Sequence, residues 1–380
     1  MQFAVAADHL FDGLAVLPDH AAVIDGPVVR RVMPRTELPH GIPVRHLPDG
    51  AWLAPGLIDA QVNGGSDLLF NDDPSPRAIL AIAAAHRRFG TTALLPTMLS
   101  DTPAKIHAAR RAIDAAADLD PSVIGVHYEG PFLSPERPGV HDRAMIRRPE
   151  PADLEFLTAR RKGVTLVTLA PEEVPPGFIG NLVAAGVRVS LGHSMATYAQ
   201  AQAALSEGLS GFTHLFNAMR PLASREPGPI AAALEEPGVY FGLIVDGEHV
   251  APAMLRLALR GAGRPMLVSD AMPPVGGRLS TFRLCGQDIM VSGRRCKAAD
   301  GTLAGSTLEM ASAVRNCVSL LALPLARALA LASAFPAKFL GVDSWLGHLA
   351  PGYRADMVAL DPKTVEVFET WVAGASSCTA

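Results

Sequence analysis

Three candidate metal ligands and one further carboxylate stand out along the 380-residue sequence. Glu129, His193 and His214 together form a donor set that suits a catalytic zinc ion with one coordination position left open. A zinc ion so held lowers the pKa of bound water towards neutrality and polarises a carbonyl group, which are the main requirements of amide hydrolysis. Asp270, just before a flexible MPPVGG segment, is the candidate general base and acid. The sequence therefore predicts metal-dependent amide hydrolysis.

Eight short apolar runs must position these residues. They alternate with alanine-rich stretches whose apolar spacing suits helices, a pattern typical of parallel strands joined by helices. Eight such units predict a (β/α)8 barrel, and the polar candidates lie at or just beyond the carboxyl ends of the runs, where barrel enzymes have their active sites. The predicted strands are residues 57–63, 91–98, 123–130, 165–172, 187–194, 211–219, 240–247 and 265–271.

The two ends of the chain have a different pattern. Residues 1–54 contain short β-like pieces broken by Gly, Pro and Asp, and residues 345–380 return to that style. We expect these ends to form one small β-sandwich domain beside a barrel domain of residues 55–344. Within the barrel domain, residues 278–306 resemble a hairpin insertion that could act as a lid, and residues 307–340 are predicted to be helical.

Composition excludes some functions. The formal net charge is −4, from 33 basic and 37 acidic residues, and no basic block is present, so we expect no nucleic-acid partner. The first residues, MQFAVAADHLFDG, lack the pattern of a signal peptide, and no run of about 18 apolar residues occurs. We expect a cytoplasmic protein without membrane association.

The four cysteines are Cys285, Cys296, Cys317 and Cys378, and none is in a CxxC motif. We expect reduced thiols in a reducing compartment, although Cys285 and Cys296 could face each other across a hairpin.

Each candidate ligand also has a purely structural interpretation. A single histidine at a strand end is more often a hydrogen-bonded structural residue, and Glu129 or Asp270 could cap a loop or a helix. The joint placement of all four candidates at one face of one barrel favours the catalytic interpretation.

Eight motifs occur in order along the chain: APGLIDAQVNGG (54–65), HYEGPFLSPERPGVHD (127–142), LGHS (191–194), THLFNAM (213–219), REPG (225–228), DGEHV (246–250), SDA (269–271) and LAGS (303–306). With the closing GYRADMVALD (352–361), they resemble the N-acetylglucosamine-6-phosphate deacetylase family of the amidohydrolase superfamily. The resemblance covers essentially the whole chain. It implies the same metal ligands and the same acid/base as the residues themselves predict.

The resemblance also implies substrate contacts that spacing cannot reveal. In this family the residue at Arg225 binds phosphate and comes from the neighbouring subunit, which implies a homodimer. Without the resemblance, Arg225 and Glu226 would be interpreted as a solvated surface pair. The implied substrate contacts are Val140, His141, Asn217, Ala218, Arg225, Asp246, His249, Leu303, Ala304 and Gly305.

A second metal is not expected. Many amidohydrolases have His-x-His at the end of the first strand, whereas this chain has Gln61-Val62-Asn63, and amides are poor zinc ligands. The fourth run ends at Glu172 without a lysine that could become a bridging carbamate. We therefore predict one divalent metal per subunit, with Gln61 and Asn63 hydrogen-bonding the site. Zinc is the expected ion, and iron, cobalt and manganese also suit the ligands.

The reaction that the resemblance implies converts N-acetylglucosamine 6-phosphate to glucosamine 6-phosphate and acetate. The metal and His141 would polarise the acetamide carbonyl, and Asp270 would move a proton from the attacking water to the leaving amine. The alternatives are an N-acetylgalactosamine 6-phosphate substrate, another N-acyl substrate, or a non-catalytic barrel.

Overall fold

The computed structural model describes residues 2–377, so Cys378 and the last residues of the predicted terminal domain lie outside the described part. The N-terminal segment consists of strands. The long strand β1 runs antiparallel to β2, which pairs with β3, and it runs parallel to both β4 and β5. These strands are β1 (Gln2–Phe11), β2 (Val16–Asp25), β3 (Val28–Pro34), β4 (Val44–His46) and β5 (Trp52–Pro55).

Ten strands follow in the middle of the chain: β6 (Leu57–Val62), β7 (Gly64–Gly65), β8 (Leu68–Leu69), β9 (Thr91–Leu99), β10 (Gly125–Glu129), β11 (Val164–Leu169), β12 (Arg188–Leu191), β13 (Gly211–Phe212), β14 (Tyr240–Leu243) and β15 (Arg264–Leu267). The short strands β7 and β8 form a hairpin, and the other eight pair in parallel in the order of the chain. A parallel bridge between Val62 and Ala271 joins the last segment to the first. The predicted (β/α)8 barrel is confirmed.

Seven helices lie in the barrel connections: α1 (Pro76–Arg87), α2 (Pro103–Leu119), α3 (Pro151–Thr158), α4 (Phe178–Ala184), α5 (Tyr198–Ser206), α6 (Gly228–Glu235) and α7 (Pro252–Ala258). Three of them begin after a side-chain cap. Ser75, Thr102 and Thr197 each accept a hydrogen bond from the backbone N–H three residues later, which satisfies an amide that the first turn leaves free.

A four-stranded antiparallel sheet follows the last barrel strand and contains β16 (Thr281–Leu284), β17 (Gln287–Ser292), β18 (Arg295–Lys297) and β19 (Leu303–Ser306). This is the hairpin-like insertion predicted for residues 278–306. Helices α8 (Met310–Leu321), α9 (Leu325–Ala332) and α10 (Ala334–Leu340) come next and confirm the predicted helical region.

The chain ends with β20 (Met357–Leu360), β21 (Val367–Val372) and β22 (Ala375–Ser376). Antiparallel pairing of β20 with β5 joins these strands to the N-terminal ones in a single eight-stranded sheet. A separate apolar cluster on this sheet includes Leu10, Ile24, Leu53 and Trp371. Both chain ends therefore build a sheet domain with its own core, as the sequence predicts.

The cysteines do not form the cross-hairpin pair that the sequence left open. Cys285 lies in the turn between β16 and β17, whereas Cys296 in β18 faces Val291. Cys285, Cys296 and Cys317 are free thiols, as expected. Among residues 2–377, no helix combines the length and the apolar character needed to cross a membrane.

Candidate active site

Three side chains from three different strands converge at the carboxyl end of the barrel. Glu129 is the last residue of β10, and His193 and His214 follow β12 and β13 by two residues each. The Nε2 atoms of both histidines lie 3.0 Å from Oε1 of Glu129 and 3.1 Å from each other. The three side chains are buried, and one ligand atom from each lies within 4.8 Å of the others.

The donor set fits a divalent metal ion. Nδ1–H of His193 donates to the carbonyl oxygen of Arg137 at 2.9 Å, which leaves the lone pair of Nε2 directed at the cluster. Nδ1 of His214 is buried and has no hydrogen-bond partner among the described residues. Two imidazole nitrogens and one carboxylate oxygen at this separation offer three of the four positions of a catalytic zinc site.

Several site residues have a left-handed backbone. The φ angles are 49° at His193, 34° at His214, 49° at Ala218 and 51° at Asp270. Non-glycine residues adopt such angles rarely and at a free-energy cost, which clusters at functional sites. These backbone turns explain why β13 ends at Phe212 although the predicted strand continued to residue 219.

Asp270 lies three residues beyond β15 and is held by the two amides that replace His-x-His. Nδ2 of Asn63 donates to Oδ1 of Asp270 at 2.7 Å. Nε2 of Gln61 donates both to the same oxygen at 3.1 Å and to Oε2 of Glu129 at 3.0 Å. The amides thus connect Asp270 to the metal-ligand cluster by hydrogen bonds.

Burial and neighbouring charges shift the pKa values of Glu129 and Asp270 in opposite directions. Burial alone would raise the pKa of Glu129, but hydrogen bonds and charge from His193 and His214 outweigh burial and hold that pKa well below its usual range. Burial and the charge of Glu129 both raise the pKa of Asp270. The surroundings therefore favour the charged form of Glu129 and the protonated form of Asp270.

His141 lies beside this cluster as a neutral imidazole. Its Nδ1 accepts a hydrogen bond from the backbone N–H of Ser100 at 3.2 Å, so the proton of the neutral ring is on Nε2. Burial, and then the neighbouring His193, lower the pKa of His141 to about 3. The Nε2–H group is thus a fixed neutral donor.

A second histidine is held by an aspartate. Nδ1–H of His249 donates to Oδ2 of Asp246 at 2.6 Å, while Oδ1 of Asp246 accepts from the backbone N–H groups of Glu248 and His249. Both oxygens of Asp246 are therefore occupied by its own loop. Burial would raise the pKa of Asp246, but the hydrogen bond and charge of His249 lower it overall.

A cavity of about 690 Å³ opens above the cluster. Its wall includes most of the residues that the sequence predicts: Glu129, Val140, His141, His193, His214, Asn217, Ala218, His249, Asp270, Leu303 and Gly305. Gln61, Asn63, Asp246 and Ala304 are buried around it and are not in its wall. Ala304 faces away because successive residues of a strand alternate between its two faces, and Leu303 and Gly305 take the cavity side.

Arg225 is not part of this cavity wall. Its side chain is exposed in the loop before α6, and it makes no ion pair within residues 2–377. The carboxylate of Glu226 instead accepts hydrogen bonds from the backbone N–H groups of Tyr198 and Gly228, at 2.7 and 3.1 Å. Arg225 and Glu226 therefore make no ion pair with each other in the described structure, although the exposure of Arg225 agrees with a solvated side chain.

The structure adds cavity residues that sequence reasoning missed. Arg137 lies within the motif HYEGPFLSPERPGVHD, but its position in that motif does not indicate that it faces the cavity. The inserted sheet supplies part of the outer wall, and its action as a lid stays a prediction. The added polar residues are Glu136, Arg137, Asp142, Arg143, Cys285, Gln287, Asp300 and Thr302.

A (β/α)8 barrel with a Glu-His-His cluster able to hold a metal, and a further buried carboxylate at its mouth, has the features of the metal-dependent hydrolases of this fold class. Comparison with known families makes this more specific. Residues 52–377 match the amidohydrolase family, and residues 3–53 match the NagA composite domain. The chain belongs to the amidohydrolase family.

Individual relatives have the activity names of the family that the sequence motifs resemble. The chain is 42% identical to N-acetylgalactosamine-6-phosphate deacetylase from Shewanella sp. (strain ANA-3), over 85% of this chain and 82% of that one. The crystal structure of N-acetylglucosamine-6-phosphate deacetylase from Pasteurella multocida superposes with a TM-score of 0.96 at 32% identity and covers both chains fully. A mutant N-acetyl-D-glucosamine-6-phosphate deacetylase from Mycobacterium smegmatis, in complex with N-acetyl-D-glucosamine 6-phosphate, has a TM-score of 0.91 at 34% identity, again over both full chains. The predicted resemblance is confirmed.

Proposed function

We propose that this protein deacetylates N-acetyl-D-glucosamine 6-phosphate, releasing glucosamine 6-phosphate and acetate. The observation that carries the proposal is the convergence of Glu129, His193 and His214 beside Asp270 at the base of one cavity. The relatives named above act on N-acetylated amino-sugar 6-phosphates. The same ligand and acid/base set is what hydrolysis of an acetamide requires.

Glu129, His193 and His214 would hold a single divalent ion, which would polarise the acetamide carbonyl and lower the pKa of the attacking water. We propose zinc, because two imidazoles and one carboxylate are typical of catalytic zinc sites. Gln61 and Asn63 donate hydrogen bonds where a second ion would need lone pairs, so they support a site for one metal.

Asp270 would carry the proton. In the ionised form it takes a proton from the attacking water, and it then gives that proton to the departing amine. The amide groups of Gln61 and Asn63 fix Oδ1, which leaves Oδ2 for the transfer. His141, as a neutral Nε2–H donor, would hydrogen-bond the oxygen on which negative charge develops.

The remaining wall would bind the sugar. Val140, Asn217, Ala218, His249, Leu303 and Gly305 face the cavity, while Asp246 and Ala304 would act from behind it. We propose that Arg225 binds the 6-phosphate in the cavity of a neighbouring subunit of a homodimer, since it is exposed and makes no ion pair with the described residues of its own chain. The enzyme would work in the cytoplasm.

The second candidate is deacetylation of N-acetyl-D-galactosamine 6-phosphate. The 42% identity with the Shewanella N-acetylgalactosamine-6-phosphate deacetylase favours it. The two substrates differ in the direction of one hydroxyl group, so the metal cluster and Asp270 would serve both equally.

The test is acetate release by enzyme of known metal content from both 6-phosphates and from unphosphorylated N-acetylglucosamine. We expect about one metal per chain and release from the phosphorylated substrates, fastest from the glucosamine epimer. Faster release from the galactosamine epimer would favour the second candidate. A metal-loaded enzyme that releases acetate from neither phosphate would refute the proposed function.

A further inference from the structure

A carboxylate from the fourth barrel unit contacts the loop that carries His193. Glu172 lies just after β11, in a 3₁₀ turn (Pro171–Glu173). Its Oε2 accepts a hydrogen bond from Oγ of Ser194 at 2.7 Å, and its Oε1 accepts one from the backbone N–H of Met195. The two residues that directly follow His193 are thus bound by the two oxygens of one carboxylate.

These hydrogen bonds act where the backbone is strained. His193 has a φ of 49°, which a residue with a side chain maintains only when its surroundings enforce it. The carbonyl oxygen of His193 accepts from the backbone N–H of Ser134 at 2.9 Å, and the N–H of Ser194 donates to the carbonyl oxygen of Ala218 at 3.1 Å. Two side chains add to these backbone contacts: the guanidinium of Arg220 donates to the carbonyl oxygen of Met195 at 2.9 and 2.8 Å, and Glu172 accepts from Ser194 and from the N–H of Met195.

Glu172 has no balancing cation. Within residues 2–377 it forms no ion pair with a lysine or arginine, although its neighbour Glu173 pairs with Arg148 on the surface at 3.4 Å. A partly buried carboxylate without a cation depends on its hydrogen-bond donors. The side-chain oxygens of Glu172 accept from Oγ of Ser194 and from the N–H of Met195, the two residues that follow His193.

We propose that Glu172 is a positioning residue that holds His193 in the orientation required for metal binding. It acts through Ser194 and Met195 and does not touch the substrate or the ion. This inference rests on the proposed metal role of His193. It also gives a function to the position where related barrels can have a bridging lysine: here the strand end supplies a carboxylate that fixes a ligand loop.

Substitution by glutamine tests the carboxylate specifically. A carboxamide has one acceptor oxygen, so in Glu172→Gln either Ser194 or Met195 must face an NH₂ group. Ser194 can adapt by accepting a hydrogen bond, whereas the N–H of Met195 cannot. Glu173→Gln is the matched control, because it makes the same chemical change one residue away on the surface.

The experiment measures zinc affinity of each purified full-length variant by competition with a chromophoric chelator, together with thermal unfolding of the metal-free protein. Loss of contacts that orient a ligand typically weakens metal binding by about 10-fold to 100-fold. We expect a loss at the lower end of that range, about 10-fold, for Glu172→Gln, in which Met195 keeps an acceptor and only the Ser194 contact must reverse. A similar loss is expected for Ser194→Ala, which removes that same contact, and no change for Glu173→Gln.

Wild-type zinc affinity in both Glu172→Gln and Ser194→Ala would overturn the proposal, as would an equal loss in Glu173→Gln. If Glu172→Gln does not fold, Ser194→Ala is the deciding variant. A folded Ser194→Ala protein with wild-type zinc affinity would then refute the positioning role of Glu172. Zinc affinity is measured without substrate. A wild-type protein that binds zinc tightly but releases no acetate would therefore refute the proposed function separately from this inference.

Discussion

The inner end and the rim of the cavity are built differently. At the inner end, Glu129, His193, His214 and Asp270 are buried, and each makes hydrogen bonds within the site: Gln61 at the end of the first strand donates to both carboxylates, and both histidines contact Glu129. At the rim, the side chains come from loops and from the inserted sheet, and Arg143, Gln287 and Asp300 are exposed.

The rim also has fewer internal constraints. Among the described contacts of Arg143, its guanidinium donates to the carbonyl oxygen of Pro135 and to no carboxylate. Rigid elements thus hold the groups that we propose for bond cleavage, whereas loops and the inserted sheet surround the part of the cavity that would meet the sugar phosphate. We infer that substitutions at the inner end alter kcat and that substitutions at the rim alter substrate selection.

The largest effect is expected for Asp270→Asn. The amide can keep the neighbouring hydrogen bonds but cannot exchange a proton, so kcat should fall by about 10²-fold to 10⁴-fold, the usual contribution of a general acid and base. Metal content should stay at the wild-type level because Asp270 is not among the three clustered ligands. Acetate release and metal analysis on the same preparation check both points. Wild-type turnover would refute the role of Asp270.

A smaller effect is expected for the arginines. A guanidinium–phosphate contact contributes about 1.5–3 kcal/mol, so Arg225→Ala should lower kcat/KM for the 6-phosphate by about 10-fold to 100-fold and leave unphosphorylated N-acetylglucosamine unaffected. Arg143→Ala should have a weaker effect in the same direction. Arg30→Ala, an exposed change in the terminal sheet, is the control.

Mixing two variants would test whether Arg225 of one subunit completes the cavity of the neighbouring subunit. A heterodimer of Arg225→Ala and Asp270→Asn chains contains one cavity with both residues intact if Arg225 comes from the neighbour. Recovery of activity on mixing and refolding is the expected result. Two inactive chains that stay inactive after verified exchange of subunits would place the phosphate contact within one chain and make Arg143 the stronger candidate.

The smallest effect concerns His86, which is as buried as the inner cluster but lies outside the cavity wall. Nε2–H of His86 donates to the carbonyl oxygen of Gly64 at 3.0 Å, and burial lowers the pKa of His86 to about 4. Above pH 6.5 the ring is neutral in both the folded and the unfolded state. Below that pH the unfolded chain takes up a proton that the folded protein binds only near pH 4, so stability decreases as the pH falls.

At pH 5 this proton should cost about 2 kcal/mol of unfolding free energy, at about 1.4 kcal/mol per pH unit. Urea unfolding at pH 7 and pH 5 measures it. His86→Gln should flatten the pH dependence by this amount, whereas His40→Gln, a change at an exposed histidine, should not. An unchanged pH dependence in His86→Gln would show that burial alone does not keep this histidine neutral.

Much of the inner end could be predicted from the sequence. Apolar runs with polar ends place Glu129, His193, His214 and Asp270 at one face, because all parallel strands of a barrel end on the same side. The amides Gln61 and Asn63 could also be placed near the site, since they occupy the end of the first strand. All six side chains lie where this argument expects them.

The rim could not be predicted in this way. Arg143 and Gln287 have no periodic pattern, and Arg143 reaches the cavity only because a loop folds back over the barrel mouth. The position of Glu172 was visible in the sequence, but its partners were not, since Ser194 lies 22 residues further along the chain. Contacts of this kind depend on loop conformation, which local residue preferences do not determine.

The sequence by itself therefore determined the barrel, the terminal sheet, the ligand types and the chemistry, because hydrophobic periodicity and donor chemistry are properties of the residues themselves. The tertiary structure alone decided which oxygen of Glu129 faces both histidines, which nitrogen of His193 is free, and that His141 is a neutral donor. The reason is physical: tautomers, left-handed backbone angles and pKa values depend on partners and burial that exist only after the strands have come together.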